Sequence, residues 1–250
     1  MMSRLIAFIY GAACYFFFLA VFAYLVAFVA DIPVSGLVPK TVSHGAPTGT
    51  GAAIVLNILL ILLFGLQHSI MARSGFKTFI QAAVAPHIER STYVLVSSLA
   101  LALLMWQWQP IDGMVWQFES TFAKYLLWGL FCFGWVLIFV ATFLTDHFDL
   151  FGLRQVYLNM VGKSYTHVEF KTVFLYKMMR HPMMSGMLIA LWANPVMTMS
   201  HLLLSAGLSI YVFIGIHFEE RALLRHLGDH YAQWRSKTPM VLPGWPRREY

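Results

Sequence analysis

Charged residues make up only 11% of this 250-residue chain and hydrophobic residues 59%, with a mean hydropathy of +0.68. A soluble domain carries about 25% charged residues, so a water-soluble globular fold is excluded. The formal net charge of +6 comes without an aromatic-interleaved basic strand or a helix-turn-helix pattern, which excludes a nucleic-acid partner.

Apolar runs occupy residues 5–30, 52–69, 93–108, 122–145, 183–200 and 202–218. A bilayer-spanning helix needs about 20 mostly apolar residues, with about 17 tolerated. The expected fold class is therefore all-α, a polytopic integral membrane protein of about six transmembrane helices. The first run is too long for a signal-peptide core and has no small-residue cleavage pattern after it. Cys14 and Cys132 lie inside apolar runs without a CxxC partner. They read as small packing residues, not as a disulfide, a nucleophile or a zinc site, and no metal site is expected. Residues 31–51, rich in Gly, Pro, Ser and Thr, read as an irregular, solvated loop.

The second run closes on Gln67-His68-Ser69, and the third opens at Glu89-Arg90-Ser91-Thr92-Tyr93. That third run is short but ends in Trp106 and Trp108, whose amphipathic rings favour a membrane interface. The fourth closes on Thr145-Asp146-His147-Phe148-Asp149. The fifth opens at Arg180-His181-Pro182 with Gly186 one turn on, and the sixth closes on His217-Phe218-Glu219-Glu220. Gly228, Tyr231, Pro239 and Pro243 follow. No repeat or linker divides the chain, so a single domain over 1–250 is expected, with 170–245 as a helical hairpin and tail.

With Arg4 inside, all of the 17 basic residues except Lys40 and Lys124 fall on one side. The positive-inside rule then places both termini in the cytoplasm and requires an even number of spans. A basic cytoplasmic face suits an anionic leaflet. The five polar clusters all fall at cytoplasmic ends of spans. Ionisable groups near membrane depth are costly and usually face a protein or water-filled interior, so a polar cavity open to the cytosol is expected. Taken singly, each cluster also reads as interfacial anchoring.

The C-terminal clusters carry the most specific chemistry. Pro182 suits the first turn of a helix, which sets Arg180 and His181 beside a helix N-terminus, a ready anion site. Gly186 lets another helix or a ligand approach closely. Glu219 and Glu220 are adjacent and so face different ways. One is expected to pair with a base such as Arg180, Arg221 or Arg225, leaving the other to accept from a ligand. A plain ion-pair staple of Glu220 with Arg180 is compatible with that.

Arg180-His181-Pro182-x-x-x-Gly186, then Glu219-Glu220-x-x-Leu223, Gly228-x-x-Tyr231 and the closing prolines resemble the C-terminal half of membrane methyltransferases of the isoprenylcysteine carboxyl methyltransferase type, a pattern shared with phospholipid N-methyltransferases. The resemblance covers about residues 170–245. It implies that S-adenosylmethionine is held by Tyr176, Met178, Arg180, His181, Pro182, Gly186, His217, Glu219, Glu220 and Tyr231. One departure stands out: Phe174-Leu175-Tyr176-Lys177-Met178-Met179 replaces the Gly-Pro-Tyr that many relatives carry, with Tyr176 standing for the family tyrosine.

Gln67-His68-Ser69-x-Met71-Ala72-Arg73, Glu89-Arg90-Ser91-Thr92-Tyr93-Val94 and the run from Asp146 to Gln155 are similar to the NnrU-related branch, the bacterial methanethiol S-methyltransferases. This likeness spans nearly the whole chain. It implies a multi-pass protein of the bacterial inner membrane that methylates a small thiol, methanethiol to dimethyl sulfide, with Gln67, Asp146, Phe151 and Arg154 at the acceptor. Carboxyl or phospholipid-amine methylation is the alternative of like chemistry. A non-enzymatic haem-binding or transport protein, with His68 and His147 as ligands, is the alternative of another class.

Thiol methylation needs no metal, since the donor methyl is already electrophilic. It needs in-line positioning, worth about 7–11 kcal/mol, and a thiolate, which is the nucleophilic form. Histidine titrates in the right range to take the proton. His147 is the expected base, with Asp149 or Asp146 orienting its ring and His68 in reserve. Phe148, Phe151 and the Met-rich turn 178–184 read as an apolar wall or as ordinary packing. Gly129, Gly134 and Gly207 would allow close helix contacts, including those of a homo-oligomer.

Overall fold

The computed structural model describes residues 2–34, 36–46, 49–80, 82–166 and 172–244; Lys171, Arg247 and Arg248 of the basic set lie outside them. Its elements run α1 (Met2–Ala30), α2 (Thr50–Met71), α3 (Ser74–Ile80), α4 (Pro86–Gln107), β1 (Met114–Gln117), α5 (Thr121–Thr145), α6 (His147–Leu150), α7 (Leu153–Met160), a 3-10 turn (Phe174–Lys177), α8 (Pro182–Trp192), β2 (Val196–Thr198), α9 (Met199–Leu227) and α10 (Asp229–Lys237). The protein is a polytopic, mainly helical membrane protein. Among the described residues, α1, α2, α4, α5 and α9 are by length and composition the five helices able to cross a bilayer.

The apolar run 183–200 becomes something shorter. α8 ends after 11 residues, about 16 Å at 1.5 Å per residue, against a hydrocarbon core of about 30 Å. Its stop is local: the residue before a proline avoids helical backbone, and Asn194 precedes Pro195. The Asn194 side chain accepts from the Val196 N–H at 3.0 Å, turning the chain into β2. The last apolar run extends the other way, into the 29-residue α9.

The described chain forms two compact units. The first comprises Met1–Val115, Asp146–Val168 and Thr198–Leu204. Here α4 packs on α1 and α2, while α7 packs on α1 and α4. Gly11 makes the α1 crossing possible, since a Cβ there would lie 2.6 Å from a Val156 methyl and 3.1 Å from Ser91 Oγ. Gly152 is needed twice over. Its φ is +86°, and a Cβ would meet Ser91 N at 2.7 Å.

The segment after α1 is irregular, as expected, but not simply solvated. Asp31, in left-handed backbone, accepts from Thr41 Oγ1 at 2.5 Å and the Ser43 N–H at 3.1 Å. Burial alone would raise its pKa, but these hydrogen bonds and that of His44 outweigh it and hold the carboxyl below its usual value. Thr41 and Val42 are fully buried, and buried backbone needs partners. The Val42 N–H donates to Phe28 O, and Val42 O accepts from Trp108 Nε1 at 3.1 Å. The two tryptophans that close the third run therefore part ways: Trp106 is 71% exposed and Trp108 0%.

The second unit comprises Trp116–Thr145, Glu169–Met197 and Ser205–Tyr250. Its centre is the α5–α8 pair. A Cβ on Gly134 would lie 2.7 Å from Gly186 O and Ala190 N, and one on Gly186 would lie 2.6 Å from Gly134 O. Small residues on both helices thus allow backbone contact, as in many membrane helix pairs. This crossing fixes α8, and so sets the residues at its start.

Candidate functional site

The expected site residues fall into two groups, one in each unit. In the second unit Pro182 opens α8 at its first turn and His181 is the N-cap, with non-helical backbone. Glu220 is the hub. Its Oε1 accepts from Arg180 Nε at 2.7 Å and lies 3.2 Å from His181 Nε2, while its Oε2 is 3.1 Å from Arg235 Nε. Its side chain is only 6% exposed. Three charged or chargeable partners therefore meet one buried carboxylate, which satisfies it locally.

Arg180 also ties down the tail, donating through Nη1 to Arg235 O at 2.8 Å and Thr238 O at 2.6 Å. The backbone continues the strap. The N–H groups of Arg180 and His181 donate to Pro239 O and Met240 O, and the Gly244 N–H donates to Met178 O. Ser185 Oγ donates to Val241 O at 2.5 Å. Met178 thus meets the tail through its carbonyl, and the missing side chain of Gly186 admits α5.

Glu219 takes the other direction. Its side chain is 49% exposed, and Oε2 stands 3.6 Å from His181 Nδ1. Tyr176, outside the helices, is held protonated: burial and then the Glu219 charge push its pKa up to about 12, against a hydrogen bond with Thr145. Tyr231 is fully buried, packed on Trp234 with ring centroids 5.4 Å apart. Burial, then the charge of Glu220, raises its pKa to about 12 as well. His217 is exposed, edge-on to Phe218. An exposed carboxylate beside a buried imidazole and a neutral phenol is a set that accepts hydrogen bonds from an ammonium or from hydroxyls.

In the first unit His147 is 3% exposed. Its Nε2 lies 2.8 Å from the hydroxyl of Tyr15 on α1. Aromatic rings surround it: centroids are 4.8 Å away for Phe151, 5.5 Å for Phe148 and 5.7 Å for Tyr15. Phe151 stacks on Phe18 at 4.1 Å, and both pack against the Met71–Tyr93–Val94 core. Burial lowers the pKa of His147, and the nearby Asp146 charge opposes this only in part. A neutral imidazole able to take a proton is the result.

His68 belongs to the same unit and meets Tyr93, whose hydroxyl is 2.8 Å from its Nε2. Gln67 donates from Nε2 to Ser97 Oγ at 3.3 Å and to Met71 Sδ at 3.0 Å. Its Oε1 is buried without a hydrogen-bond partner among the described residues.

The carboxylates near His147 are engaged with the segment that follows. Asp146, at φ +104°, caps α6 by accepting from the Asp149 N–H at 3.0 Å. Asp149 accepts from Arg154 Nη1 at 3.0 Å, Gln155 Nε2 at 3.3 Å and the Tyr165 hydroxyl at 3.3 Å. Arg154 further donates to Thr166 O at 2.7 Å. At Nε2 the His147 ring meets a tyrosine, Tyr15. Tyr15 was missed in the sequence because it begins a Tyr-Phe-Phe-Phe run that reads as apolar filling. Its hydroxyl inside an apolar helix was the available signal, because a buried phenol normally finds a partner. Arg235 was missed because nothing local marks it.

The family model described as NnrU protein matches residues 56–244. Methanethiol S-methyltransferase of Mycobacterium tuberculosis is 46% identical over 247 residues, covering 99% of each chain. Methanethiol S-methyltransferase 1 of Bradyrhizobium diazoefficiens is 46% identical over 244 residues, 98% of this chain and 84% of that protein. Nurim of Danio rerio is 28% identical over 184 residues, 70% of this chain and 66% of that one. No solved structure matches the chain. The matched span takes in both Gln67-His68 and the Arg180–Glu220–Arg235 hub, and the chain belongs to the NnrU protein family.

Proposed function

We propose that this protein is an S-adenosylmethionine-dependent methyltransferase of small thiols, converting methanethiol to dimethyl sulfide at the cytoplasmic side of the bacterial inner membrane. The observation that carries the reading is the 46% identity, over 99% of both chains, to a relative named for that reaction. The second-unit group fits the donor. Arg180 and Arg235 are satisfied by Glu220, which leaves the half-exposed Glu219 beside His181 to hold a cationic, hydroxyl-rich molecule. Tyr176 stays a hydrogen-bond donor at any physiological pH. S-adenosylmethionine, when bound, supplies an electrophilic methyl group.

In the first unit, His147 takes the thiol proton on an imidazole nitrogen and so generates the thiolate, a role worth about 10²–10⁴-fold in rate. Phe148 and Phe151 around the imidazole exclude water, which favours a small apolar acceptor over a hydrated one. Sulfur against ring edges is itself favourable, by about 0.3–1.5 kcal/mol.

The test uses purified full-length protein with methyl-labelled S-adenosylmethionine and either methanethiol or a prenylated cysteine. Labelled dimethyl sulfide in the headspace is expected. Label appearing only in a prenylcysteine ester moves the assignment to carboxyl methylation. A Soret band without donor binding would move it to haem.

A further inference from the structure

We propose that Tyr15 is a positioning residue for the reaction, acting through His147; the inference rests on His147 being the base. The two side chains come from positions 132 apart in sequence and meet at 2.8 Å, hydroxyl to Nε2. The bond forms where water is scarce: His147 is 3% exposed, and the Tyr15 ring is bordered by Phe16, Phe18, Phe148 and Phe151 at centroid distances of 5.8, 6.4, 6.5 and 6.2 Å. In such surroundings a hydrogen bond is stronger than in water. For the ring to act as a base, its Nε2–H donates to the Tyr15 oxygen, and Nδ1 is then the nitrogen that takes the proton.

Carboxylates usually fill this role, and two lie close in sequence, yet Asp146 caps α6 and Asp149 is held by Arg154, Gln155 and Tyr165. A neutral phenol does it with a different consequence. It orients the ring without adding negative charge, so it does not raise the basicity of an imidazole whose buried site disfavours the cation. The base stays neutral before each turnover while keeping a fixed direction. The Tyr93–His68 pair repeats the geometry at 2.8 Å, and around His147 the rings of Phe148 and Phe151 pack close besides that of its partner.

The experiment is a double-mutant cycle of Tyr15→Phe and His147→Ala in the full-length protein, with kcat and KM for methanethiol normalised to monodisperse protein. Tyr15→Phe keeps the ring packing and removes only the hydroxyl. It is expected to lower kcat by about 10- to 100-fold, within the roughly 10²–10⁴-fold worth of a positioned base, with KM and the melting temperature nearly unchanged. Added to His147→Ala, it is expected to cost nothing more, because residues acting through one another are not additive.

A Tyr15→Phe enzyme with wild-type kcat, beside a slow His147→Ala, overturns the role of Tyr15 and leaves the base intact. Equal, additive losses overturn it too. If His147→Ala turns over at the wild-type rate, the base reading fails and this inference falls with it. 3-Fluorotyrosine at position 15 keeps size and hydroxyl and alters only acidity. It is expected to change kcat but not KM, and an unchanged kcat also counts against the proposal.

Discussion

Glu219 and Glu220 show how far neighbouring residues of one type can diverge. Glu220 is enclosed with Arg180, whose side chain is 10% exposed, and removing one member of a buried pair costs about 3–5 kcal/mol because the other charge is left uncompensated. Glu220→Ala is therefore expected to lower the thermal midpoint of the protein sharply, donor present or not. Glu219→Gln should leave that midpoint within a degree or two and weaken S-adenosylmethionine binding, read by calorimetry. The reverse ranking would mean that the two roles are assigned the wrong way round.

His147 gives a signed pH dependence. Burial holds its pKa below the ordinary value, which is about 6.5. The neutral form is the base, so turnover should rise with pH through that lowered pKa and be level at neutrality. In a kcat profile the acid limb should lie below about 6.5 and vanish in His147→Ala. At this scale the sequence was informative about residue type and poor about partners. His147 and Glu220 stood out as ionisable groups at the ends of apolar runs. Tyr15 and Arg235 did not, because the atoms they meet are 132 and 15 positions away and no periodic pattern encodes such pairings.

Among the elements, the long helices were written in the sequence because hydrophobic length is a direct physical requirement of a bilayer. Their interruptions were subtler. Asn194-Pro195 sits inside a run that averages as a span, and only the local backbone preference of the residue before proline reveals that α8 must stop. Gly134 and Gly186 were both visible, but their mutual contact was not. It predicts that Gly186→Val will be poorly tolerated: its side chain would have to displace α5 backbone, Gly134 O lying 2.6 Å from the Cβ position. Overpacking of this kind costs about 1–3 kcal/mol or more, measurable as loss of the folded, monodisperse fraction. Gly129→Val, where a Cβ meets nothing within 4 Å, is the control and should behave as wild type.

For the molecule as a whole, composition identified the solvent correctly, and the ordered motifs in both halves pointed to the family to which it belongs. The loop 31–46 escaped, because its buried hydrogen bonds to Phe28 and Trp108 are properties of the folded unit and not of a Gly- and Ser-rich composition. The sidedness expected from the basic residues can be read with a membrane-impermeant maleimide. A cysteine at position 45 should react from outside intact cells and one at 163 only after lysis, the opposite pattern placing the N-terminus outside.

The shared carboxylate of Glu220 has a consequence for how such proteins diverge. Arg180, Glu220 and Arg235 lie on three different helices or their flanks, yet each depends on one side chain. Loss of Glu220 takes the shared partner from both arginines and from His181 at once. Among descendants of this chain the three positions should therefore be kept or lost as a block, a pattern of joint inheritance that an alignment of many relatives would display as covariation between α8, α9 and α10.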